Sequence, residues 1–598
     1  MTGSRFVRGV LVLVVVWGVF AAPAVAADEK AKDVVGTWKL TYNPGNGDHE
    51  ATLTVTRDKS GLKGKFVDGE RKFDITKIEY KDGKLTFTTR TERDGDKATA
   101  TFEGKVKGDA IEGEGEWEYQ GMSGSFSFTG KREAEKPRAG PPAAVAVPGK
   151  PSLTLGSYDV GPLGYRVEEF FVSGTASSYK LNGEATADGK WDAVPAGTSP
   201  YTTRIVVVRP TDPDKFSGTA VVEWLNVTGG LDVPVEWNVI HREILRRGHA
   251  YVGVSAQKVG IESGRGGATR PELAPLKKAD PKRYGRLSHP GDAYAYDIFS
   301  QAGRLVKDAA ASKVLGPLVP RRVIAVGESQ SAFFLTTYVT AVDPLVRVYD
   351  GFLIHARFGP AAPLGDTPAL AALVGPAKAV KLRPDLRVPV LTVLAESDVL
   401  GWPPLTGYHA ARQTDTDRLR VWEIAGAAHA DNYIFAAGYI DSGSLPLEKL
   451  AAALAPTRNA LGNKLAEPMN FGPQQHYVVQ AALWQLDRWL QKGQAPPKAP
   501  ALKLTEDKPP KLVTDANGLA EGGVRTAWVD VPTARLTGAG SMVGVGKPFD
   551  AATLERLIDY RISPIPGAYF NSTSVRESAP SGCRPALRSP LTDGPDRR

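Results

Sequence analysis

The chain has 598 residues, of which 42% are hydrophobic, 23% charged and 8% aromatic, and this composition excludes a mainly disordered protein. The length predicts two or more domains, or one large domain with insertions. The net charge of +8 comes from basic residues interleaved with acidic ones, so we expect no nucleic-acid partner. A single cysteine, Cys583, excludes an intrachain disulfide framework and a cysteine-based metal site.

The N-terminus is typical of a secretory signal peptide over residues 1–26. Arg5 and Arg8 precede an apolar run over 10–20, and the Ala-Val-Ala sequence at 24–26 matches a cleavage pattern of small residues. An uncleaved membrane anchor is the alternative, but the apolar run is short for a helix that spans a bilayer. We therefore expect an exported protein, periplasmic or secreted, whose mature chain has no integral membrane segment.

Residues 34–132 predict a small antiparallel β-barrel or sandwich. Segments of alternating polar and apolar residues are separated by Asp-Gly turns, for example at 68–69 and 82–83. The opening Gly36-Thr37-Trp38 and the repeated hairpins bounded by glycine resemble small lipocalin-like barrels. We expect side chains to fill the interior, with an interior ligand as the alternative. Residues 133–152 are rich in alanine, proline and glycine, which predicts a semi-rigid linker.

Residues 153–540 predict an α/β domain with a mainly parallel sheet flanked by helices. Continuous apolar runs rich in β-branched residues alternate with helix-like segments, as expected of strands buried on both faces. The predicted strands cover 204–208, 220–225, 250–254, 323–326, 390–394 and 419–424. A late helix over 481–490 carries Trp484 and Trp489, which we expect in the core. Residues 541–598 are predicted to be a C-terminal extension, disordered from about residue 574.

One strand is followed directly by a candidate nucleophile. The run over 322–335 contains a predicted strand, the sequence Gly-Glu-Ser-Gln-Ser and a helix-like segment. A serine at such a turn, here Ser329, stands above the sheet, and the next amide, that of Gln330, can donate to an oxyanion. Ser331 takes the place where this pattern usually has glycine. A second match around Ser123 lies between predicted β-strands with no helix after it, so we interpret Ser123 as structural.

A base and an acid follow at the ends of two later strands. His429 follows the strand over 419–424 and is the candidate base, while Asp398 follows the strand over 390–394 and is the candidate acid. The chain order serine, aspartate, histidine is the order of α/β-hydrolases. Glu396 is the alternative acid because it lies two residues nearer the strand, and Asp431 is a more remote candidate.

The loop after the strand over 220–225 is the candidate source of a second oxyanion donor, the backbone amide of Val227 or Asn226. Ser255 and Gln257, after another predicted strand, either line the pocket or cap the next element. The histidines lack metal-ligand spacing and no nucleotide-binding glycine pattern stands in a suitable context, so we expect no metal and no cofactor.

Several motifs occur in one order between about residues 153 and 538. They are Val-Glu-Trp-Leu-Asn-Val-Thr-Gly-Gly at 222–230, Gly-Val-Ser-Ala-Gln at 253–257, Tyr-Gly-Arg-Leu-Ser-His-Pro-Gly-Asp at 284–292, Gly-Glu-Ser-Gln-Ser-Ala at 327–332, Asp-Gly-Phe at 350–352 and Ala-Gly-Ala-Ala-His-Ala-Asp at 425–431. In these motifs the chain resembles a bacterial α/β-hydrolase domain family of esterase-like proteins. The resemblance implies the α/β-hydrolase fold and a hydrolase, but no particular substrate.

The residues and the resemblance together predict an exported serine hydrolase that cleaves carboxylic esters through an acyl-enzyme. Its expected partner is a small-molecule or polymeric ester, and the oligomeric state cannot be derived from the sequence. A peptidase or amidase with the same triad is one alternative, because the fold does not separate these activities. The other is a non-catalytic protein that binds a ligand or a surface and carries a vestigial hydrolase domain.

Overall fold

A computed structural model describes the chain in two compact units, divided between Arg138 and Ala139. The described residues are 34–45, 47–58, 61–69, 71–93, 96–108, 110–132, 142–262, 274–365, 378–460, 462–554 and 557. The predicted signal peptide and the predicted disordered tail from about residue 574 lie outside them.

The first unit is a closed antiparallel barrel of eight strands, one of the two antiparallel folds, barrel or sandwich, that the sequence predicts. Its strands β1 to β8 are Gly36–Tyr42, His49–Asp58, Gly61–Asp68, Arg71–Lys81, Lys84–Arg93, Asp96–Lys107, Ala110–Tyr119 and Met122–Arg132. Each strand pairs with the next, and β1 also pairs with β8, which closes the barrel. Ser123 is exposed near the start of β8, opposite Glu118 of β7, in keeping with the structural interpretation of its motif.

Aromatic side chains occupy the interior of this barrel. Phe87 and Phe102 stack with ring centroids 4.6 Å apart, and the rings of Phe66, Phe126 and Phe128 surround them. All five are buried, because alternate residues of each strand point inward. The barrel is therefore packed with its own side chains, which is the usual filling of a small eight-stranded barrel.

The second unit is built on one nine-stranded sheet. Its strands β9 to β17 are Ala143–Val147, Tyr165–Leu181, Ala193–Pro210, Thr219–Trp224, Ala250–Val254, Arg322–Glu328, Gly351–His355, Val390–Ala395 and Leu419–Ile424. The strand order is β17-β16-β15-β14-β12-β13-β11-β10-β9. The six strands from β17 to β13 are parallel, and the last three pair antiparallel. This mostly parallel sheet confirms the predicted fold class.

Helices cover both faces of this sheet. The longer ones, α1 to α5, are Val235–Arg247, Ala295–Lys307, Gln330–Thr337, Leu447–Ala453 and Gln474–Lys492. Shorter α-helices are Lys258–Ile261, Leu276–Ala279, Pro281–Tyr284, Ala309–Ser312, Asp343–Val346, Glu396–Leu400, Gly438–Ile440 and Ala527–Asp530. The strands are apolar on both faces, and the two largest hydrophobic clusters lie on opposite sides of the sheet. Among the described helices, none combines the length and apolar character needed to cross a membrane.

The late helix α5 is longer than predicted, and its two tryptophans differ. Trp489 is buried as expected, whereas Trp484 is half-buried under the guanidinium groups of Arg247 and Arg488. The long side chains of these arginines cover an indole face that the core does not reach.

The structure differs from the predicted domain boundaries at two places. The predicted linker 133–152 contains β9, whose alanines and valines pair with β10 at the edge of the sheet. The predicted end of the α/β domain at residue 540 is too early, because Val545–Pro548 pairs with Ala534–Thr537. The Asn470 N–H also donates to the Val543 carbonyl at 3.0 Å, so this segment packs as part of the second unit.

Candidate active site

The candidate nucleophile lies at a strained turn between β14 and α3. Ser329 has φ 57° and ψ −116°, and residues other than glycine rarely adopt a positive φ. Its N–H donates to the His355 carbonyl at 3.0 Å. A Cβ at Gly327 would lie 3.0 Å from both the Ser331 Cβ and the Leu335 Cδ1, so a larger residue there would have to push these neighbours away. The turn leaves Ser329 partly exposed between buried neighbours.

A hydrogen-bonded chain connects the three residues that the sequence places at the ends of β14, β16 and β17. The Ser329 Oγ lies 2.8 Å from the His429 Nε2. The His429 Nδ1 lies 2.5 Å from the Asp398 Oδ1. The other Asp398 oxygen accepts the Ala395 N–H at 2.6 Å, and the Ser397 Oγ accepts the His429 N–H at 2.6 Å. Backbone contacts thus orient both the acid and the imidazole.

The charge of Asp398 affects the proton affinity of His429. Burial alone would lower the pKa of this histidine, but attraction to Asp398 and the hydrogen bond between them raise it above its ordinary value of 6.5. The nearby carboxyl group of Glu328 acts in the same direction. An imidazole whose pKa is raised in this way is a stronger base toward the serine hydroxyl.

The alternative acids form their hydrogen bonds elsewhere. One Glu396 oxygen accepts the Gly426 N–H at 2.5 Å, and the other accepts the Gly538 N–H and the Thr537 hydroxyl, both at 2.8 Å. Burial raises the pKa of Glu396 to about 7. Asp431 accepts the Ile434 N–H at 3.0 Å. Of the three candidates, Asp398 is the one whose carboxylate meets the imidazole.

The predicted oxyanion donors have different partners. Gln330 is the first residue of α3, so its N–H has no carbonyl partner within the helix. The Val227 N–H donates to the side-chain Oε1 of Gln330 at 3.2 Å, which places these two residues together beside Ser329. The Asn226 N–H donates to the Val233 carbonyl at 3.0 Å and is therefore engaged away from the site.

A second hydrogen-bonded chain fixes the Gln330 side chain. Its Nε2 donates to the Gln257 Oε1 at 2.6 Å, and the same oxygen accepts the Trp224 Nε1–H at 3.0 Å. The Gln257 Nε2 in turn donates to Asp292 at 3.0 Å. Gln257 therefore lies within the site, whereas Ser255 belongs to a separate buried ion-pair network in which its Oγ accepts the Arg204 Nε–H at 2.9 Å.

Two aromatic rings form a wall beside the candidate base. The ring centroids of Phe358 and Trp402 lie 5.2 and 5.4 Å from that of His429. Phe358 is buried and Trp402 is partly exposed, on a short hairpin formed by Gly401–Trp402 and Leu405–Thr406. This wall makes one side of the site apolar, as is common where a small ligand binds.

The structure adds buried polar residues that the sequence did not indicate. Glu328 Oε1 lies 3.6 Å from the His429 Nε2, and burial raises the pKa of Glu328 to about 7. His355, at the end of β15, lies 3.2 Å from Glu236 of α1. Burial disfavours the charged form of His355, but Glu236 outweighs this effect and raises the pKa of His355 to about 9. Gln475 of α5 lies 2.8 Å from the His355 Nε2.

Comparison with known proteins identifies the family. The protein-family model described as "alpha/beta hydrolase domain" matches residues 135–561. The chain belongs to this alpha/beta hydrolase family. Among curated proteins, none matches the chain.

Solved structures that are similar to the chain include esterases and a putative dienelactone hydrolase. One is a thermostable esterase from Pseudomonas putida, with 12% identity and a TM-score of 0.23, where the match covers 40% of this chain and 66% of that one. Another is the esterase Est22, with 12% identity and a TM-score of 0.22, covering 39% of this chain and 64% of that one. Membership of the family supports a hydrolase, and the site geometry must support anything finer.

No cluster of three or more histidine, cysteine, aspartate or glutamate side chains suited to a metal ion occurs within the part of the chain that the structure describes.

Proposed function

We propose that this protein is a serine hydrolase that cleaves carboxylic esters through an acyl-enzyme. The observation that carries the proposal is the hydrogen-bonded chain from the Ser329 hydroxyl through His429 to Asp398, at 2.8 and 2.5 Å. Nucleophile, base and orienting acid are the three parts that activate a serine.

In the first half of the proposed reaction, Ser329 Oγ attacks the acyl carbon while His429 Nε2 takes the hydroxyl proton. Asp398 holds the imidazole and stabilises its positive charge. His429 then gives the proton to the leaving alcohol, and the ester bond breaks to leave an acyl-enzyme on Ser329. In the second half, water attacks this acyl group with His429 again as base, and the acid product leaves.

The proposed oxyanion donors are the backbone N–H groups of Gln330 and Val227. Removal of one such donor typically costs about 3–4 kcal/mol of transition-state stabilisation. The Val227 N–H donates to the Gln330 side chain, so a substrate oxygen must displace that side chain to use both donors. The substrate oxygen would satisfy the Val227 N–H, but the buried Gln330 Oε1 would lose its donor, at a cost of about 1–3 kcal/mol.

Covalent labelling tests the nucleophile. A fluorophosphonate probe should label the folded protein, and Ser329→Ala should abolish the labelling. Ser123→Ala is the matched control, because Ser123 lies in a similar glycine-serine motif but on a barrel strand, and it should retain full labelling. Labelling that survives Ser329→Ala, or a folded wild-type protein that is never labelled, would contradict the proposal and favour a non-catalytic binding protein.

Matched substrates test the choice of ester over amide. The enzyme should hydrolyse p-nitrophenyl acyl esters with a higher kcat/KM than p-nitroanilides of the same acyl groups. A preference for the anilides would replace the esterase proposal by an amidase or peptidase with the same residues.

We also propose export, which the signal-peptide pattern over residues 1–26 supports. Cell fractionation of the full chain, with N-terminal sequencing of the mature form, tests it. A mature protein that begins at Ala27 in the exported fraction is expected, whereas an intact N-terminus in the cytoplasmic fraction would refute export.

A further inference from the structure

Glu328 places a second carboxyl group beside the candidate base. Its Oε1 lies 3.6 Å from the His429 Nε2, which is the nitrogen that faces Ser329. The Glu328 side chain is only 5% exposed, so water screens this interaction weakly. At 3.6 Å the contact is longer than a hydrogen bond, and its effect on the imidazole is electrostatic.

The position of this carboxyl group is fixed by Asn226. The Asn226 Nδ2 donates both to the Glu328 carbonyl and to its Oε2, each at 3.2 Å. Asn226 is itself held, since its backbone pairs with Val233 and its Oδ1 accepts the Thr228 N–H at 2.9 Å. The loop predicted to supply an oxyanion donor thus also orients the Glu328 side chain.

Charged groups from four elements face Glu328. His429 and Asp398 follow β17 and β16, His355 ends β15 as the register partner of Glu328, and Glu236 lies in α1. Burial opposes the ionised form of Glu328 most strongly, and Glu236 and Asp398 also oppose it, whereas the two histidines favour it. His355 is held in its protonated form by its pairing with Glu236, so a buried cation is available to balance Glu328.

We propose that Glu328 is a positioning residue that acts through His429 and stabilises the imidazolium formed when His429 takes the serine proton. This inference rests on the proposed function and deepens it. Asp398 acts at Nδ1 through a hydrogen bond, and Glu328 acts at the opposite nitrogen through its charge. Glu328 takes part in no bond-making step; the proton moves from the Ser329 Oγ to the His429 Nε2 and then to the leaving group.

The test compares Glu328→Gln with the wild type in the pH dependence of kcat/KM for a p-nitrophenyl ester. Glu328 carries its negative charge above its raised pKa of about 7, so its loss should move the acid limb to lower pH, because a neighbouring opposite charge raises the pKa of an imidazole. The plateau of kcat/KM should fall about tenfold, which is the fold-change that corresponds to one pKa unit. An acid limb at the wild-type position would overturn the proposal.

Glu396→Gln is the matched control. Glu396 is also a buried glutamate beside the site, but its oxygens accept hydrogen bonds from Gly426, Thr537 and Gly538. This variant should lower the thermal unfolding temperature and leave the acid limb in place. A similar shift of the acid limb in both variants would show a general structural effect and would overturn the specific role of Glu328.

Two further measurements keep the proposal open to refutation. Should Glu328→Gln not fold, the pair Glu328→Asp and Glu328→Asn compares charged and neutral side chains of equal size, and the acid limb should be lower in the asparagine variant. NMR titration of the His429 imidazole, assigned with a His429→Gln variant, measures the same shift without any substrate. Failure of fluorophosphonate labelling would therefore reject the proposed function, whereas an unmoved His429 titration would reject the role of Glu328.

Discussion

Replacement of Asp398 by asparagine should do more than remove a charge. The Asp398 Oδ2 accepts the Ala395 N–H at 2.6 Å, while Oδ1 meets the His429 Nδ1 at 2.5 Å. In Asp398→Asn, the side-chain carbonyl must face the Ala395 N–H to satisfy it, which turns the NH2 group toward Nδ1. The amide then stabilises the imidazole tautomer with its proton on Nε2, and that tautomer cannot accept the proton of Ser329.

The size of the expected loss of kcat/KM follows from the free energy needed to avoid this tautomer. The new asparagine could instead turn its oxygen toward His429. Its NH2 group would then face the buried Ala395 N–H, which is also a donor, at a cost of about 1–3 kcal/mol. Loss of the carboxylate charge beside the imidazolium adds to this cost. We expect kcat/KM to fall about a thousandfold to ten-thousandfold, equivalent to about 4–5.5 kcal/mol.

The assay is steady-state hydrolysis of a p-nitrophenyl ester by Asp398→Asn and Glu396→Gln, with thermal unfolding of both. Glu396→Gln places an NH2 group against buried donors and should cost about 1–3 kcal/mol of unfolding free energy. Its kcat/KM should stay within about tenfold of the wild type, since Glu396 supports the loops through backbone amides whereas Asp398 itself contacts the imidazole. The reasoning is refuted if Glu396→Gln abolishes turnover while Asp398→Asn retains it.

Three further outcomes are expected. The acid limb of the pH profile of kcat/KM should lie above pH 6.5 in the wild type and move to lower pH in Asp398→Asn. The reason is that Asp398 raises the pKa of His429, and only neutral His429 accepts a proton. Trp402→Ala should raise KM for apolar esters about fivefold to tenfold, through the loss of about 1 kcal/mol of apolar contact, whereas Trp402→Phe should retain most of the affinity. Initial-rate kinetics measure KM, and an unchanged KM in Trp402→Ala would show that the wall does not bind substrate. Gly327→Ala should lower the unfolding free energy by about 1–3 kcal/mol, because the new methyl group would lie 3.0 Å from Ser331 and Leu335. Urea unfolding measures this change, and an unchanged midpoint would contradict the tight turn.

The sequence indicates the buried centre of the sheet better than its edge. The predicted strands over 220–225, 250–254 and 390–394 agree closely with β12, β13 and β16, because strands buried on both faces are uninterrupted apolar runs. The edge strand β9 falls within the predicted linker, since its five residues are only alanine and valine and lie next to prolines. A strand at the edge is formed by its pairing with β10, which composition alone does not reveal.

The strand β15, Gly351–His355, is not among the predicted strands. It has five residues, begins with glycine and ends with histidine, so its pattern is weak. Its burial comes from pairing with β14 and β16 on either side. Because the pattern does not indicate this strand, the sequence could not place His355 beside Glu328 or predict the buried charges below the nucleophile.

The choice between Asp398 and Glu396 depends on a detail of the backbone that the sequence leaves open. β16 ends at Ala395 and the chain enters a short helix at Glu396, so the two acidic side chains no longer share one face, as residues two apart would along a strand. Glu396 is directed to the amides of Gly426 and Gly538, and Asp398 is directed to His429. The spacing of the two acids alone does not tell whether the strand continues through Glu396 or ends at Ala395.

The candidate site also depends on chain segments that follow its last reacting residue. Gln475 of α5 lies 2.8 Å from the His355 Nε2, and its side-chain NH2 donates to the His429 carbonyl at 3.3 Å. It therefore couples the buried histidine of β15 to the loop that carries the candidate base. Further on, Gly538 binds the carboxyl group of Glu396, two residues before Asp398. Both hydrogen bonds are buried, where the loss of one partner is costly. The segments around residues 475 and 538 contribute no reacting atom, yet they position the loops of the acid and the base, which explains why the α/β unit must extend well past His429.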